Sequence, residues 1–199
     1  MLKAKLLVIG HGRHGKDTVS EILCEDFKLS FISSSMFACQ RFIYDDLKNK
    51  YNYKSFEECY DDRHNHRSEW YDAIAGYCED DPAQLGKDIF SEHDIYCGLR
   101  NVREFVAMKE QGVFDACIWV DRSEHLPPED PESMTLTKDM ADYVINNNGD
   151  LSELGYKVRV CYNLVQRRLS EKTGTYTIDP ELQRWPDIDI ENVAVLGYD

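Results

Sequence analysis

Residues near the start of the chain have the types and spacing of an anion-binding loop. Residues 10–16 read GHGRHGK, which fits the pattern G-x-x-x-x-G-K. Glycines let the backbone approach phosphate oxygens closely, and the N–H groups at the start of a following helix would point at the same anion. Lys16 would reach the β- and γ-phosphates of a nucleoside triphosphate. The predicted cofactor-binding residues are Gly10, His11, Gly12, Arg13, His14, Gly15, Lys16, Asp17 and Thr18.

The elements on either side of this loop decide whether it binds phosphate. Lys5–Ile9 reads KLLVI, an apolar run typical of a buried parallel strand. After Asp17, apolar residues recur at three- and four-residue spacing, which predicts an amphipathic helix. The order strand, glycine-rich loop, helix favours a phosphate-binding loop over a glycine-rich turn that binds nothing.

The residue after the lysine departs from the usual motif. Asp17 stands where a magnesium-binding Ser or Thr is expected, and Thr18 follows it. Asp17 could hold Mg²⁺ directly or through water, orient Lys16, or be an acidic first-turn residue favoured by the helix dipole. Both Asp17 and Thr18 are therefore candidate metal ligands.

The rest of the chain alternates strand-like and helix-like segments. Strands are predicted at 29–33, 93–99, 115–121 and 143–146, with a crossover helix in 101–112 and a long helix from Leu151. Ser33, Ser34 and Ser35 offer capping hydroxyls for a helix over 36–48, and 51–92 should hold two or three helices. Three prolines exclude one continuous helix over 122–141, which is predicted to be a lid-like loop. Residues 174–199 are predicted to be a C-terminal extension with a strand-like VAVL segment.

Size and composition predict a single soluble α/β domain spanning the 199 residues. No apolar run is long enough for a membrane span, and the first residues lack the features of a secretory signal. Seven scattered cysteines without a C-x-x-C pair, and no histidine motif for zinc, favour a reducing cytoplasm and core roles for the cysteines. A formal charge of −14 disfavours nucleic acid as a partner. Homodimerisation is left open.

Three segments together resemble the phage-type deoxynucleoside monophosphate kinases, a branch of the P-loop kinases that carries Asp after the lysine. The segments are GHGRHGKDT, GLRNVREFVAMKEQG and DYVINNNGDLSEL, and they occur in the family's order. The resemblance implies a three-layer P-loop nucleoside monophosphate kinase fold, with about five parallel strands and helices on both faces. It also implies ATP with Mg²⁺ as donor and a nucleoside monophosphate as acceptor, in the host cytoplasm if the chain is phage-encoded.

The resemblance also indicates which arginines contact the phosphates. Arg100 ends the third strand, where open α/β sheets bind ligands, and Arg103 is a second candidate. Arg122 follows the fourth strand and could swing from the lid onto the phosphates. Lys16, Arg100 and Arg122 are the predicted catalytic residues. The alternatives are a surface ion pair, such as Arg100 with Glu104, or a solvated loop charge.

An acceptor site is predicted after the second strand and within a helical insertion over 36–92. The candidate substrate-binding residues are Ser34, Phe37, Arg41, Arg67, Trp70, Arg100 and Arg103. A helix cap and a core phenylalanine would explain Ser34 and Phe37 nearly as well. Arg63, His66, Arg67 and Trp70 could equally form an ordinary helix face. No general base is assigned, because a monophosphate oxygen is already ionised near neutral pH.

Two other functions fit the same sequence. One is a P-loop kinase acting on a modified base in DNA, which the acidic charge disfavours. The other is a regulator that binds a nucleotide without phosphoryl transfer, which the arginines after strands three and four disfavour.

Overall fold

The computed structural model describes residues 3–174 and the backbone of residues 193–195. The strands are β1 (Leu6–Ile9), β2 (Phe31–Ser33), β3 (Ile95–Cys97), β4 (Ala116–Asp121), β5 (Tyr143–Asn146) and β6 (Val193–Val195). The α-helices are α1 (Lys16–Phe27), α2 (Ser34–Ala38), α3 (Tyr44–Tyr51), α4 (Phe56–Asp61), α5 (Arg67–Tyr77), α6 (Gln84–Glu92), α7 (Val102–Glu110) and α8 (Leu151–Thr173).

One six-stranded sheet organises these elements in the order β2-β3-β1-β4-β5-β6. The first five strands of that order are parallel, and β6 pairs antiparallel with β5. The carboxyl ends of β1, β3 and β4 are therefore neighbours at one edge of the sheet. This topology confirms the predicted parallel sheet and puts the glycine-rich loop beside the segments that carry Arg100 and Arg122.

Alternating strand residues build a separate core on each face of the sheet. Leu6 and Val8 point into one core, which α1 and α8 cover. Leu7 and Ile9 point into the other, which is shared with α6 and α7. Both faces are apolar because both are covered by helices, as parallel sheets require. The result is the predicted three-layer arrangement.

The predicted elements are confirmed, with changes at their ends. The second and third strands are shorter than predicted, and α1 begins at Lys16, one residue before the predicted start at Asp17. The helix predicted over 36–48 begins earlier, at Ser34, because the Ser33 hydroxyl caps it by accepting a hydrogen bond from the Met36 amide at 3.2 Å. A π-helical segment over Cys39–Ile43 joins α2 to α3.

Helices α2 to α5 surround a third, smaller apolar cluster. Ala38, Cys39, Ile43, Leu47, Cys59 and Trp70 form its buried centre. This cluster lies outside the two sheet cores. Phe42 and Ile74 are partly buried against both this cluster and the core that contains Phe37, so they link the helical segment to the sheet.

The segment predicted to be a lid has no α-helix. Between β4 and β5 the chain forms only turns and a short 3-10 helix at Lys138–Met140. Met134 and Leu136 are almost fully buried, so the second half of the segment is anchored in the core.

Six of the seven cysteines are buried and Cys24 is half-buried, and all are free thiols. No helix in residues 3–174 is long and apolar enough to cross a membrane. In the predicted C-terminal extension, residues 175–192 and 196–199, including Trp185 and Pro186, lie outside the described residues.

Candidate functional site

The loop over residues 10–15, called here the cradle loop, needs glycine at two places. Gly10 has φ 140°, and a Cβ there would lie 2.5 Å from the carbonyl oxygen of Val120 on the neighbouring strand. Gly15 has φ 94°, and a Cβ there would lie 2.3 Å from Nδ2 of Asn147. A side chain at either position would be strained by the backbone angle and would clash. The loop therefore depends on these glycines for its path.

Residues directly after the neighbouring strands β4 and β5 bind the cradle loop through His14. Asn147, directly after β5, donates from Nδ2 to the carbonyl oxygen of His14 at 2.9 Å. The amide of Arg122, directly after β4, donates to Nδ1 of His14 at 3.0 Å. His14 is fully buried, so its ring supports the loop and is not exposed to a ligand. Its Nε2 atom has no hydrogen-bond partner among the described residues.

Lys16 begins α1, and its ammonium group folds back over the loop. Its Nζ atom donates to the carbonyl oxygen of His11 at 2.7 Å. Burial lowers the pKa of Lys16, while the nearby Cys97, Asp17 and Glu129 act in the opposite direction. An anion bound in the loop would favour the charged ammonium and give it a stronger partner than a neutral carbonyl.

A carboxylate from the predicted lid lies in the mouth of the cradle loop. Oε2 of Glu129 accepts a hydrogen bond from the amide of Gly12, and Oε1 pairs with Nη1 of Arg100 at 2.6 Å. The amide of Glu129 donates to Nδ1 of His11 at 3.2 Å. Burial alone would raise the pKa of Glu129, but the hydrogen bond and charge of Arg100 and the Gly12 amide lower it below its ordinary value.

The ring of His11 is held between aromatic neighbours. It lies edge-on to the rings of Trp119 and His14, with centroid distances of 5.2 and 5.3 Å. Burial and the nearby His14 lower the pKa of His11, and Glu129 opposes this shift. The acceptor role of Nδ1 toward the Glu129 amide fits a neutral ring.

The two candidate metal ligands stand at the start of α1, next to Lys16. Asp17 is exposed, and its Oδ1 accepts a weak hydrogen bond from Sγ of Cys97 at 3.4 Å. Thr18 is half-buried. Within residues 3–174, no group of three or more His, Cys, Asp or Glu side chains could enclose a metal ion. One carboxylate and one hydroxyl fit a Mg²⁺ ion that is held mainly by nucleotide phosphates and water.

Arg100 follows β3 and is linked to the cradle loop through Glu129, and its predicted ion-pair alternative is not formed. It pairs with Glu129 instead of Glu104. Arg122 is half-buried next to the loop, whereas Arg103 is exposed on α7. The structure thus brings Lys16, Arg100 and Arg122 to one edge of the sheet and leaves Arg103 at the surface.

The residues predicted to bind an acceptor are divided between two places. Ser34 and Phe37 lie on α2, directly after β2, and Ser34 is half-buried while Phe37 belongs to a sheet core. The exposed Arg41 lies over the Phe37 ring at 5.8 Å from its centroid and pairs with Glu92 at 3.5 Å. These three residues share the edge of the sheet that holds the cradle loop.

The second predicted group lies within the helical cluster. Trp70 is 6% exposed and packs at the centre of that cluster, so its ring is a core element there. Arg63 donates to the carbonyl oxygen of Tyr60 at 2.7 Å and covers its ring, and His66 contacts Asp62 at 3.0 Å. Arg67 is exposed at the start of α5. These contacts match the helix-face interpretation of the group.

Glu104 is an acidic residue with no evident structural partner near the same edge. It is half-buried in the first turn of α7, and its side chain makes no hydrogen bond or ion pair with the residues of 3–174. Burial raises its pKa to about 7. Burial raises the pKa of Tyr96 and the pKa of Cys78, and a negative charge on Glu104 acts in the same direction on both.

Sequence reasoning missed Glu129 and Asn147 as parts of the site. Asn147 could have been found as a polar residue directly after a buried strand at the edge where ligands bind. Glu129 carries no such signal, because it lies within a proline-rich segment whose path the sequence does not define.

Comparisons with known proteins give two distant structural matches. No protein-family model and no curated protein sequence matches the chain. A shikimate kinase from Bacteroides thetaiotaomicron superposes with a TM-score of 0.45 and 11% identity, over 82% of this chain and 98% of the other. A gluconokinase from Sinorhizobium meliloti 1021 superposes with a TM-score of 0.43 and 15% identity, over 86% and 95% of the two chains. At such values the likeness adds nothing to the assignment of the site, which depends on the geometry described above.

Proposed function

We propose that this protein is an ATP-dependent kinase that transfers the γ-phosphoryl group of ATP to a nucleoside or deoxynucleoside monophosphate. The observation that carries the proposal is the cradle loop itself. Its first and last glycines take positive φ angles, a lysine begins the next helix, and arginines follow the two strands that neighbour β1. Such an arrangement is suited to a polyphosphate chain.

Each charged group has a distinct task in this reaction. The N–H groups of the cradle loop hold the phosphates, and Lys16 moves from the His11 carbonyl to the β- and γ-phosphates. Arg100 and Arg122 neutralise the charge on the transferred group and keep donor and acceptor oxygens in line. Asp17 or Thr18, together with the phosphates, would hold a Mg²⁺ ion, which would supply further charge neutralisation.

The identity of the acceptor as a nucleoside monophosphate is the more specific part of the proposal. Support comes from the resemblance of three sequence segments to the deoxynucleoside monophosphate kinases and from the position of Ser34, Phe37 and Arg41. These residues follow β2 at the same edge of the sheet as Arg100. The exposed Arg41 offers a guanidinium to an acceptor phosphate. The Phe37 ring is 4% exposed within a sheet core, as its core alternative predicts, so it supports this edge from within.

Turnover with defined acceptors tests this function. The protein is incubated with ATP, Mg²⁺ and each nucleoside or deoxynucleoside monophosphate in turn, and diphosphate is followed by chromatography. Formation of one diphosphate identifies the acceptor. If DNA is added and labelled phosphate from ATP appears only in the DNA, the result would instead support a kinase acting on a modified base. ATP binding without any phosphorylated acceptor would support a regulator.

Lys16→Ala is expected to lower turnover by several orders of magnitude, because it removes the one ammonium group of the cradle loop. The fold should be preserved, since Lys16 contributes one hydrogen bond to a neutral carbonyl. The measurement is kcat with circular dichroism of the same sample. Lys172→Ala, which removes an exposed lysine near the end of α8, is the matched control and should turn over normally. Unchanged activity of the Lys16 variant would contradict the proposal.

A further inference from the structure

The Glu129 carboxylate occupies the position at the cradle loop where an anionic ligand would bind. A main-chain N–H of the cradle loop and a guanidinium each bind one oxygen of its carboxylate. Lys16 lies close enough for the two charges to affect each other's pKa. An amide and a guanidinium bound to one carboxylate, with an ammonium nearby, form a set of donors that suits a phosphate group.

The segment that carries Glu129 is anchored at both ends. On one side, Nε2 of His125 contacts the carbonyl oxygen of Asn148 at 2.8 Å. On the other side, Thr135 binds the Arg100 carbonyl through both its amide and its hydroxyl, each at 3.0 Å. Met134 and Leu136, which flank Thr135, are buried. Movement of Glu129 therefore requires only the short stretch between these anchors, and the sheet need not change.

The same contact also occupies Arg100. Its Nη1 atom is bound to Glu129, so it is not available to a substrate phosphate in this conformation. Any event that moves Glu129 away from Gly12 also frees Arg100. The donor site and the arginine on β3 are thus coupled through one side chain.

We propose that Glu129 is a built-in competitor for the nucleotide: its carboxylate occupies the phosphate position of the empty cradle loop, and binding of ATP displaces it and releases Arg100 for the transferred phosphoryl group. This inference rests on the proposed function, since it assumes that the ligand of the cradle loop is a nucleoside triphosphate. The contact would keep the catalytic arginine paired until the donor is bound.

A matched pair of variants tests the competition. Glu129→Gln keeps the shape of the side chain and removes the charge. Glu132→Gln makes the same charge change at an exposed residue of the same segment, whose side chain forms no hydrogen bond or ion pair with the described residues. ATP binding to each full-length protein is measured by calorimetric titration without acceptor. We expect Glu129→Gln to bind about tenfold more tightly than the unchanged protein, which corresponds to about 1.4 kcal/mol, and Glu132→Gln to bind as the unchanged protein does.

The contact itself has a readout that needs no nucleotide. In the ¹⁵N-labelled protein without ligand, the amide resonance of Gly12 should shift in Glu129→Gln and stay in place in Glu132→Gln. If the Gly12 amide resonance stays in place in both variants, Glu129 does not contact the Gly12 amide, and the proposal is overturned.

The two measurements separate failure of this inference from failure of the proposed function. If the unchanged protein binds ATP and Glu129→Gln binds it equally or more weakly, Glu129 is no competitor, while the kinase function stands. Weaker binding would mean that Glu129 helps to hold the nucleotide. If no variant binds ATP although the Gly12 resonance shifts as expected, the contact exists but the proposed function fails, and the competitor role fails with it.

Discussion

The contact between Gly15 and Asn147 joins two strand ends that are far apart in the sequence. Asn147 reaches under the loop to the His14 carbonyl, and it fits because position 15 has no side chain. The positive φ of Gly15 also turns the chain into α1. A single residue therefore determines both the path of the loop and its attachment to β5.

Gly15→Ala is expected to destabilise the protein by about 1–3 kcal/mol, because the backbone angle is strained for alanine and the new methyl group displaces Asn147. Urea unfolding followed by circular dichroism measures the change. Gly76→Ala is the control, since that glycine lies within α5 with open space around it. It should stabilise the protein by about 0.5–1 kcal/mol. Equal stability of the two variants would contradict this account of Gly15.

Individual site residues differed in how far the sequence could predict them. The cradle loop and Lys16 were predictable because their spacing is local and the flanking patterns are strong. The position of Arg100 at a strand end was also predictable, but its partner was not. Glu129 is 29 residues away from Arg100 in the chain, and that contact depends on the path of an irregular segment. Trp70 illustrates another limit: helical spacing does not say which face of a helix is covered.

At the scale of elements, the first turn of α7 carries Glu104, an acidic residue whose burial disfavours its charged form. Asn101 caps this helix, accepting a hydrogen bond from the Arg103 amide at 2.8 Å. Glu104 follows in the first turn, where burial raises its pKa to about 7. A carboxyl group in that position remains protonated in the folded protein at a pH where the unfolded chain has already lost the proton. The folded state is therefore favoured at low pH relative to high pH at this site.

Glu104→Gln should reveal this effect as a change of stability with pH. The unchanged protein loses stability as the pH rises from about 5 through 7, where Glu104 must ionise in a buried place, with an upper limit of about 3 kcal/mol. The glutamine variant has no such loss, so its stability relative to the unchanged protein should increase toward about pH 8. Urea unfolding at a series of pH values measures the difference. Glu110→Gln, at the exposed end of the same helix, should show a nearly constant difference.

The strands and long helices were predictable as elements because their apolar patterns extend over enough residues. The start of α2 at Ser34 and the π-helical segment after it were not. A capping serine can be any of three in the run Ser33 to Ser35, and the choice depends on where β2 ends. The π-helical segment has no pattern of its own, since its residues continue a helical periodicity.

At the scale of the whole molecule, two of the three apolar clusters contain strand residues, and the buried residues of the third all belong to helices. Two lie on its opposite faces, and the third lies among α2 to α5. The helical cluster shares few residues with the sheet cores. It is therefore a candidate for a unit that opens separately from the sheet.

Ile43→Ala tests that independence, because Ile43 is fully buried in the helical cluster. Loss of its side chain should destabilise the cluster by about 2–5 kcal/mol. Amide hydrogen exchange should then become faster in residues 34–77 and remain slow in β1 and β4. Val8→Ala, in a sheet core, should accelerate exchange throughout the described part of the chain. Equal acceleration everywhere in the Ile43 variant would mean that the molecule opens as one unit.

The sixth strand has a protective consequence for the molecule. It lies antiparallel along β5, pairing Tyr143 with Val195 and Ile145 with Val193. Without it, the polar main-chain groups of β5 on that side would be open to a strand of another molecule. The edge offered on this side is therefore the three-residue β6 and not the longer β5, and a shorter edge strand is a poorer template for edge-to-edge association.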